Sequence, residues 1–348
     1  KFNPQIARAI LNIFGIAAGA RVLDPFCGSG TSLVECAHVG ISAVGTDLNP
    51  LAVFVANAKL LALRLPVAQL QEALAAALCR FHERRGACAP AEPDRLVYLR
   101  SWFAPSILDE LERLRAAILA GDAPSASILL ALASNLLRAY SLQDPEDLRI
   151  RRRKTPLPAT ALIAAFAQAV GLFLARLAAA REILGGEPTA GRAVLADSRD
   201  LGSAQLGLGG ERFDCALTSP PYATALPYID TQRLSLVWLG LLSPAQLQRL
   251  EATLVGSREV RGQSKKALLV ELRDNRRALP AAQAEYCRRL QDALTPHDGF
   301  RRQAGPLLLY RYFAAMAGVE RSVRGCLKEA APFALIVGQN HTVLGGQR

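Results

Sequence analysis

The chain has 348 residues, enough for one large domain or two ordinary ones, and its hydrophobic share of 51% with 20% charged residues is that of a globular protein. A formal charge of +11 fits a polyanionic partner, most simply nucleic acid, beside the plainer reading that the composition favours Arg over Lys. Seven scattered cysteines without a CxxC pair, and four dispersed histidines, argue against a disulfide framework and a metal centre, and for a reducing, cytoplasmic compartment.

The opening residues show no signal-peptide pattern, and Arg and Glu interrupt the apolar helices, so no bilayer-spanning segment is expected. The first sixty residues read as an α/β unit. "PQIARAILNIFG" has helical apolar spacing and ends at Gly15. "ARVLDPFCGSGT" is a short apolar strand running into a glycine turn, and "SLVECAHVG" is a helix closed by Gly40. "SAVGTDLNP" is a second strand, followed by the helix "LAVFVANAKLLALRL", with Pro50 at its first turn.

Residues 66 to 188 change character. Ala/Leu/Arg stretches of helical periodicity ("LQEALAAALCRFHERRG", "SILDELERLRAAILA", "SASILLALASNLLRAY", "ATALIAAFAQAVGLFLARLAAAREILGG") leave almost no strand signal, which predicts a helical insertion. Within it, "DLRIRRRKTPLP" places five basic residues in the six positions from Arg149 to Lys154: a solvated loop or a phosphate contact.

The α/β pattern resumes after Gly191. "RAVLADSRDL" is a strand ending in an acidic turn, and "RFDCALTSPPY" is a strand stopped by two prolines, which cannot donate to a sheet ladder. A basic stretch from Arg258 to Arg302 follows. The chain closes with a helix over "GPLLLYRYFAAMAGVERSV" and a buried-looking strand over "APFALIVGQN". The fold class expected is α/β: a Rossmann-like, mainly parallel sheet with helices on both faces. The core covers 1–65 and 189–348 and is interrupted by the helical segment 66–188.

Two spacings carry chemistry. Gly28 and Gly30 sit at a strand-to-helix turn, where glycines let the backbone approach a ligand, and Asp47 ends the next strand, where an acid accepts hydrogen bonds from a ribose diol. The third glycine of a dinucleotide fingerprint is replaced by Leu33, and Asp24 precedes the turn. An anionic pyrophosphate is repelled there and the ammonium of a methionine moiety attracted, so S-adenosylmethionine fits better. The second spacing is Ser219-Pro220-Pro221-Tyr222. A stiff turn offering the Ser219 hydroxyl and the Pro220 carbonyl can hold the two N–H groups of an exocyclic amine out of the plane of a base. Tyr222 offers a stacking face.

"DPFCGSGT", "GTDLNP" and "TSPPY", in that order, resemble the S-adenosylmethionine-dependent amino-methyltransferases, enzymes that methylate exocyclic amines of bases, mostly in DNA. The Ser form of the tetrapeptide is most associated with N4-cytosine enzymes, and the Asp and Asn forms with N6-adenine enzymes. The resemblance implies that Asp24, Phe26, Gly28, Gly30 and Thr31 form the cofactor loop, with Asp47 the ribose acid and Asn49 beside it. It further implies that Asp197 and Ser198 hold the adenine, that Asn3 and Pro4 lie near the methionine end, and that Ser219, Pro220, Pro221 and Tyr222 are catalytic. DNA with its base flipped or single-stranded is the implied partner, RNA less so, with no membrane and with room for a restriction or defence-system partner.

The long helical segment and the lack of a recognisable target-recognition domain depart from the family pattern. Sequence reading would then fall to the helical insertion, to the basic 258–302 region, or to neither. Two other readings stand: an RNA guanine-N2 methyltransferase, whose turn is commonly Asp-Pro-Pro-Tyr, and a non-catalytic subunit binding S-adenosylmethionine and nucleic acid. Cys27 and Cys215 read as small buried fillers and His341 as structural. Residues 228–238 read as a helix with Leu234, Val237 and Trp238 in the core; Tyr228, Asp230 and Arg233 are candidates to brace a base.

Overall fold

The computed structural model describes residues 2–83, 92–184, 188–202, 204–207, 209–223, 228–258 and 265–338. Helix α1 (Pro4–Ile13) leads into β1 (Arg21–Asp24), α2 (Thr31–His38), β2 (Ser42–Asp47) and α3 (Pro50–Arg64). A run of helices follows: α4 (Val67–His82), α5 (Pro93–Arg100), α6 (Pro105–Leu119), α7 (Ala123–Ser134), α8 (Leu137–Tyr140) and α9 (Leu162–Leu184). Strands β3 (Gly191–Leu195) and β4 (Cys215–Thr218) precede α10 (Tyr228–Trp238), α11 (Pro244–Thr253), α12 (Lys265–Arg273), α13 (Ala281–Asp292), α14 (Phe300–Cys326) and β5 (Phe333–Leu335).

The five strands form a parallel sheet in the order β3-β2-β1-β4-β5. The chain runs outward from β1 through β2 to β3, then returns to the other side of β1 as β4. Such a reversal opens a crevice at the carboxyl ends of the two central strands. Neighbouring side chains along each strand face opposite ways. Val22, Ala43, Cys215 and Leu217 pack on one face with α1, α2 and α3. Leu23, Val44, Phe213 and Ala216 pack on the other with Val319 and Val323 of α14. This is the layered α/β architecture expected from the sequence.

A third apolar cluster runs from Leu51 and Ala58 of α3, through α4 to α9, to Leu234, Val237 and Trp238 of α10 and Leu247 of α11. The helical layer thus shares one core with a helix of the sheet domain. Buried Arg95 fastens it: its guanidinium makes a bidentate pair with Glu112, at 2.8 and 2.7 Å, and donates to the last carbonyls of α10.

Several expectations need correction. The charge-interrupted pattern suggested no span-length apolar segment, yet residues 155–175 carry no charged side chain. Helix α9 is long and apolar enough to cross a membrane by length and composition. In the fold it turns Leu162, Phe166, Val170, Leu174 and Leu177 into the third cluster. The closing strand is an edge strand and not a buried one: Leu335 is 36% exposed. The basic stretch after Arg258 contains helices α12 and α13. They bury Leu268, Leu272, Leu279, Ala284 and Cys287 against Leu307 and Tyr310 of α14, forming a small core of their own. Helices α5 and α11 also lacked a clear periodic signal, being short and largely polar.

Candidate active site

The crevice is built around two carboxylates at strand ends. Asp24 closes β1 and is only 2% exposed. Its Oδ1 accepts from the Phe26 amide at 3.0 Å and from Thr218 Oγ1 at 2.6 Å, and its Oδ2 accepts from Ser32 Oγ. Burial pushes this carboxyl above the ordinary value, opposed by those three donors. Asp24 therefore ties the glycine turn, the first turn of α2 and the end of β4 to one point. The expectation that it faces a ligand ammonium meets an enclosed carboxylate, whose bonds within the fold go to Phe26, Ser32 and Thr218.

The turn itself needs its glycines. Gly28 (φ +48°) has no heavy atom within 4 Å of where a Cβ would stand, so its surface faces open space. Gly30 adopts φ +77°, and a Cβ there would stand 2.8 Å from that of Ala56 on α3. Cys27, just before them, packs its thiol against Gly45, whose missing side chain makes the room. Burial and the nearby Asp24 and Asp47 push its pKa well up, and burial does the same at Cys215, to about 12, so both are inert fillers. Lys59, which sequence reading missed, clamps the turn from α3 by donating to the Ser29 carbonyl at 2.8 Å and to its hydroxyl at 3.2 Å.

Asp47 ends β2. Its Oδ2 accepts from the Gly28 amide at 3.1 Å and its Oδ1 from the Asn49 amide at 2.8 Å. With a further contribution from the Leu48 amide, these donors hold the carboxylate at the strand end beside the glycine turn. Desolvation, with Asp24 nearby, pushes its pKa up to about 6. Asn49 caps α3 through Leu51 and donates its side-chain amide to Gln232 of α10. Phe26 is half-buried against the second face of the sheet, and Thr31 begins α2, which receives no side-chain cap from Gly30.

Asp197 and Ser198 follow β3. Burial works to raise Asp197, but hydrogen bonds from the Arg199 side chain and amide and its positive charge outweigh it, leaving the carboxyl below its ordinary value. Arg199 also donates to the carbonyl of Thr253, the last residue of α11. Ser198 is buried beneath the glycine turn, its hydroxyl bonded to the Pro25 carbonyl and to Thr46 Oγ1. Its side chain supports the turn from below. Asn3 and Pro4 are exposed and shape the start of α1, where the Asn3 side chain accepts from the Gln5 amide at 3.0 Å.

The Ser-Pro-Pro-Tyr turn leaves β4 on the same edge. Thr218 binds Asp24 and its carbonyl accepts from Ile336 at 2.9 Å, so the strand end is held from both sides. Pro220 is buried, Ser219 half-buried, and Tyr222 is 43% exposed. Two glycines distant in sequence fit against Tyr222. A Cβ on Gly256 would come within 2.5 Å of its carbonyl oxygen, and one on Gly338 within 3.0 Å of its phenol oxygen. No local pattern signals them, because each is defined by a contact across the fold.

The candidates beyond the turn divide. Leu234, Val237 and Trp238 are buried as expected, but Arg233 points into the helical layer, bonded to Tyr98 and stacked 3.8 Å from the Trp102 ring centre. Asp230 gives its backbone carbonyl to Gln143. Tyr228 opens α10, and His341 lies outside the described residues.

Residues 1–78 match the family model described as UPF0020, RMKL-like, methyltransferase domain. The chain is similar to the tRNA (guanine(10)-N2)-dimethyltransferase of Methanothermobacter thermautotrophicus, 45% identical over 47 residues, which are 14% of each chain. It is also similar to the type II methyltransferase M.MjaII of Methanocaldococcus jannaschii, 40% identical over 60 residues, 17% of this chain and 11% of that one. M.BsoBI of Geobacillus stearothermophilus, another type II methyltransferase, is 33% identical over 51 residues, 15% of this chain and 10% of its own. The chain thus spans only a small part of the length of the curated relatives it matches. No solved structure matches it.

Proposed function

We propose that this protein methylates the exocyclic amine of a nucleic-acid base, with S-adenosylmethionine as donor and DNA as the first substrate, N4 of cytosine ahead of N6 of adenine. One observation carries the reading. The glycine turn and the Ser-Pro-Pro-Tyr turn are joined through Asp24, which binds Phe26 and Ser32 on one side and Thr218 on the other. A cofactor turn and a base-holding turn that share a buried anchor are fixed relative to each other, which is what a transfer between two bound groups requires.

The residues present fit the cofactor: Gly28 opens onto free space, the Asp47 carboxylate is fixed beside it at the strand end where a ribose diol would donate, and the carboxylates disfavour a pyrophosphate. In this reading Asp47 and Asn49 hold the ribose side, Phe26, Gly28, Gly30 and Thr31 shape the loop, and Asp197, Ser198, Asn3 and Pro4 complete the surround. When bound, the cofactor supplies an electrophilic methyl group. Ser219 and the Pro220 carbonyl accept the two N–H bonds of the amine and turn its lone pair out of conjugation. Tyr222 stacks the base, and the two prolines, Pro220 buried and Pro221 half-buried, keep the turn from relaxing. The surplus proton leaves the nitrogen after transfer, so no strongly basic side chain is required.

Methyl acceptance from labelled S-adenosylmethionine by genomic DNA and by bulk tRNA, followed by digestion and mass analysis, tests this. N4-methylcytosine or N6-methyladenine in DNA is expected. Tyr222→Ala should reduce it about 10- to 100-fold, in line with base–aromatic stacking of about 1–3 kcal/mol. The tRNA relative, with the highest identity reported above, favours a second reading as a tRNA guanine-N2 methyltransferase. Label confined to tRNA guanosine would replace the first reading with it. Cofactor binding without label in either acid would mark a non-catalytic subunit.

A further inference from the structure

The arginine run of the helical layer is a built feature with an unexplained tip. Its frame is closed: Gln143 and Arg152 form an antiparallel bridge, Asp144 donates to the Arg151 carbonyl and Arg153 to that of Leu142, each at 2.9 Å. Arg153 also donates to the carbonyls of Ala139 and Ser141, and Arg138 to those of Asp144 and Asp147. Arg152 and Arg233 both stack on Trp102, their guanidinium carbons 4.6 and 3.8 Å from the ring centre. Arg138, Arg152, Arg153 and Arg233 are therefore all engaged within the layer.

The tip is different. Leu148 and Ile150 are 43% and 46% exposed, alternating with Arg149 and Arg151, whose side chains are 52% and 58% exposed. Asp147 pairs with both of these guanidiniums, gathering the two exposed cations at one carboxylate. A rigid loop that shows water two large apolar side chains between two cations has the chemistry of a groove-binding wedge.

The loop frame is also tied to the helix that borders the strand ends. Buried Gln143 bonds the Asp230 carbonyl at 3.1 Å and Arg233 at 3.3 Å, and the intervening Gln232 bonds Asn49, two residues from Asp47. One turn of α10 thus touches the cofactor edge and the loop frame together. The five residue steps from Gln143 to Leu148 reach at most about 18 Å.

We propose that the loop 144–154 is a wedge for double-stranded DNA. Leu148 and Ile150 enter the base stack, Arg149 and Arg151 hold the flanking phosphates, and the displaced nucleotide is left free to reach Tyr222. The proposal rests on the base-methyltransferase reading, since a base inside a duplex is out of reach of that turn.

Two double variants, Leu148→Ser/Ile150→Ser and Arg149→Gln/Arg151→Gln, test it in the full chain, with thermal melting to confirm folding. Binding is read with a labelled pool of random-sequence oligonucleotides as duplex and as single strand, and with bulk tRNA. Methyl acceptance is read on native and heat-denatured genomic DNA. The serine pair should lower duplex affinity, and the native-to-denatured methylation ratio, about tenfold while single-strand binding stays within about twofold. The glutamine pair should weaken both and flatten the salt dependence of duplex binding by about two in log–log slope. Equal losses on duplex and single strand for the serine pair, no loss at all, or loop dependence confined to tRNA would each overturn the wedge. Loop-dependent duplex binding with no methyl transfer into any nucleic acid would leave the wedge standing and overturn the catalytic reading.

Discussion

Asp47 is the residue whose chemistry is most directly open to measurement. Its pKa stands near 6 because desolvation disfavours the charged form, and a diol donating to the carboxylate favours that form again. The bound pKa then lies below the free one, and binding below pH 6 must expel a proton. Affinity for S-adenosylmethionine should therefore level off above about pH 6 and fall as the pH drops below it, by up to about tenfold per unit. Calorimetry on both sides of that pH checks this, and Asp47→Asn should bind more weakly with the slope gone. Tyr222 offers a second test. Gly338→Ala puts a methyl group against the phenol oxygen, which must give by a few tenths of an ångström, and under the proposed base-stacking role of Tyr222 it should lower turnover by roughly 2- to 10-fold. In the Tyr222→Phe background that oxygen is absent, so the same change should cost little; equal costs in both backgrounds would show that Gly338 acts elsewhere. The two motifs were legible in the sequence because each is a run of adjacent residues whose conformational demands are local: glycines with positive φ, prolines that end a strand. Lys59, Gly256 and Gly338 were not, since what each one touches is decided by the fold.

Among the elements, β3 shows how an edge is managed. It pairs only with β2, and Asn57 of α3 covers its outer side by donating to the Ala193 carbonyl at 2.9 Å and accepting from its amide at 2.8 Å. The side-chain amide stands in for a neighbouring strand. Asn57→Ala should lower the unfolding free energy by about 1–3 kcal/mol, the cost of leaving half-buried backbone groups without partners, seen as a lower denaturant midpoint at unchanged slope. The strands were readable as brief apolar runs ending at Pro25, at Asn49-Pro50 and at Pro220-Pro221. The long helices were readable from their period. The arginine run was readable only as charge, because whether an arginine faces water, a carbonyl or Trp102 depends on partners tens of residues away.

At the scale of the whole molecule, the parallel sheet followed from strands alternating with helices, and the run of helices from α4 to α9 from its composition. How that run packs did not follow, since its apolar faces are nearly uniform Ala and Leu and say little about which helix they meet. The cluster shared by α3, α7 and α10 resolves this by making layer and sheet domain one body. The Asp24–Thr218 bond has a further consequence. Its two residues are 194 positions apart in the chain, and β1 must wait for β4 across the whole helical layer. Closing so long a loop early is entropically unfavourable, so the helical layer, rich in local contacts, is the part that can order first on a nascent chain. The glycine turn then acquires its second anchor only after Thr218 has been synthesised, and the geometry for chemistry is completed as a late step of folding.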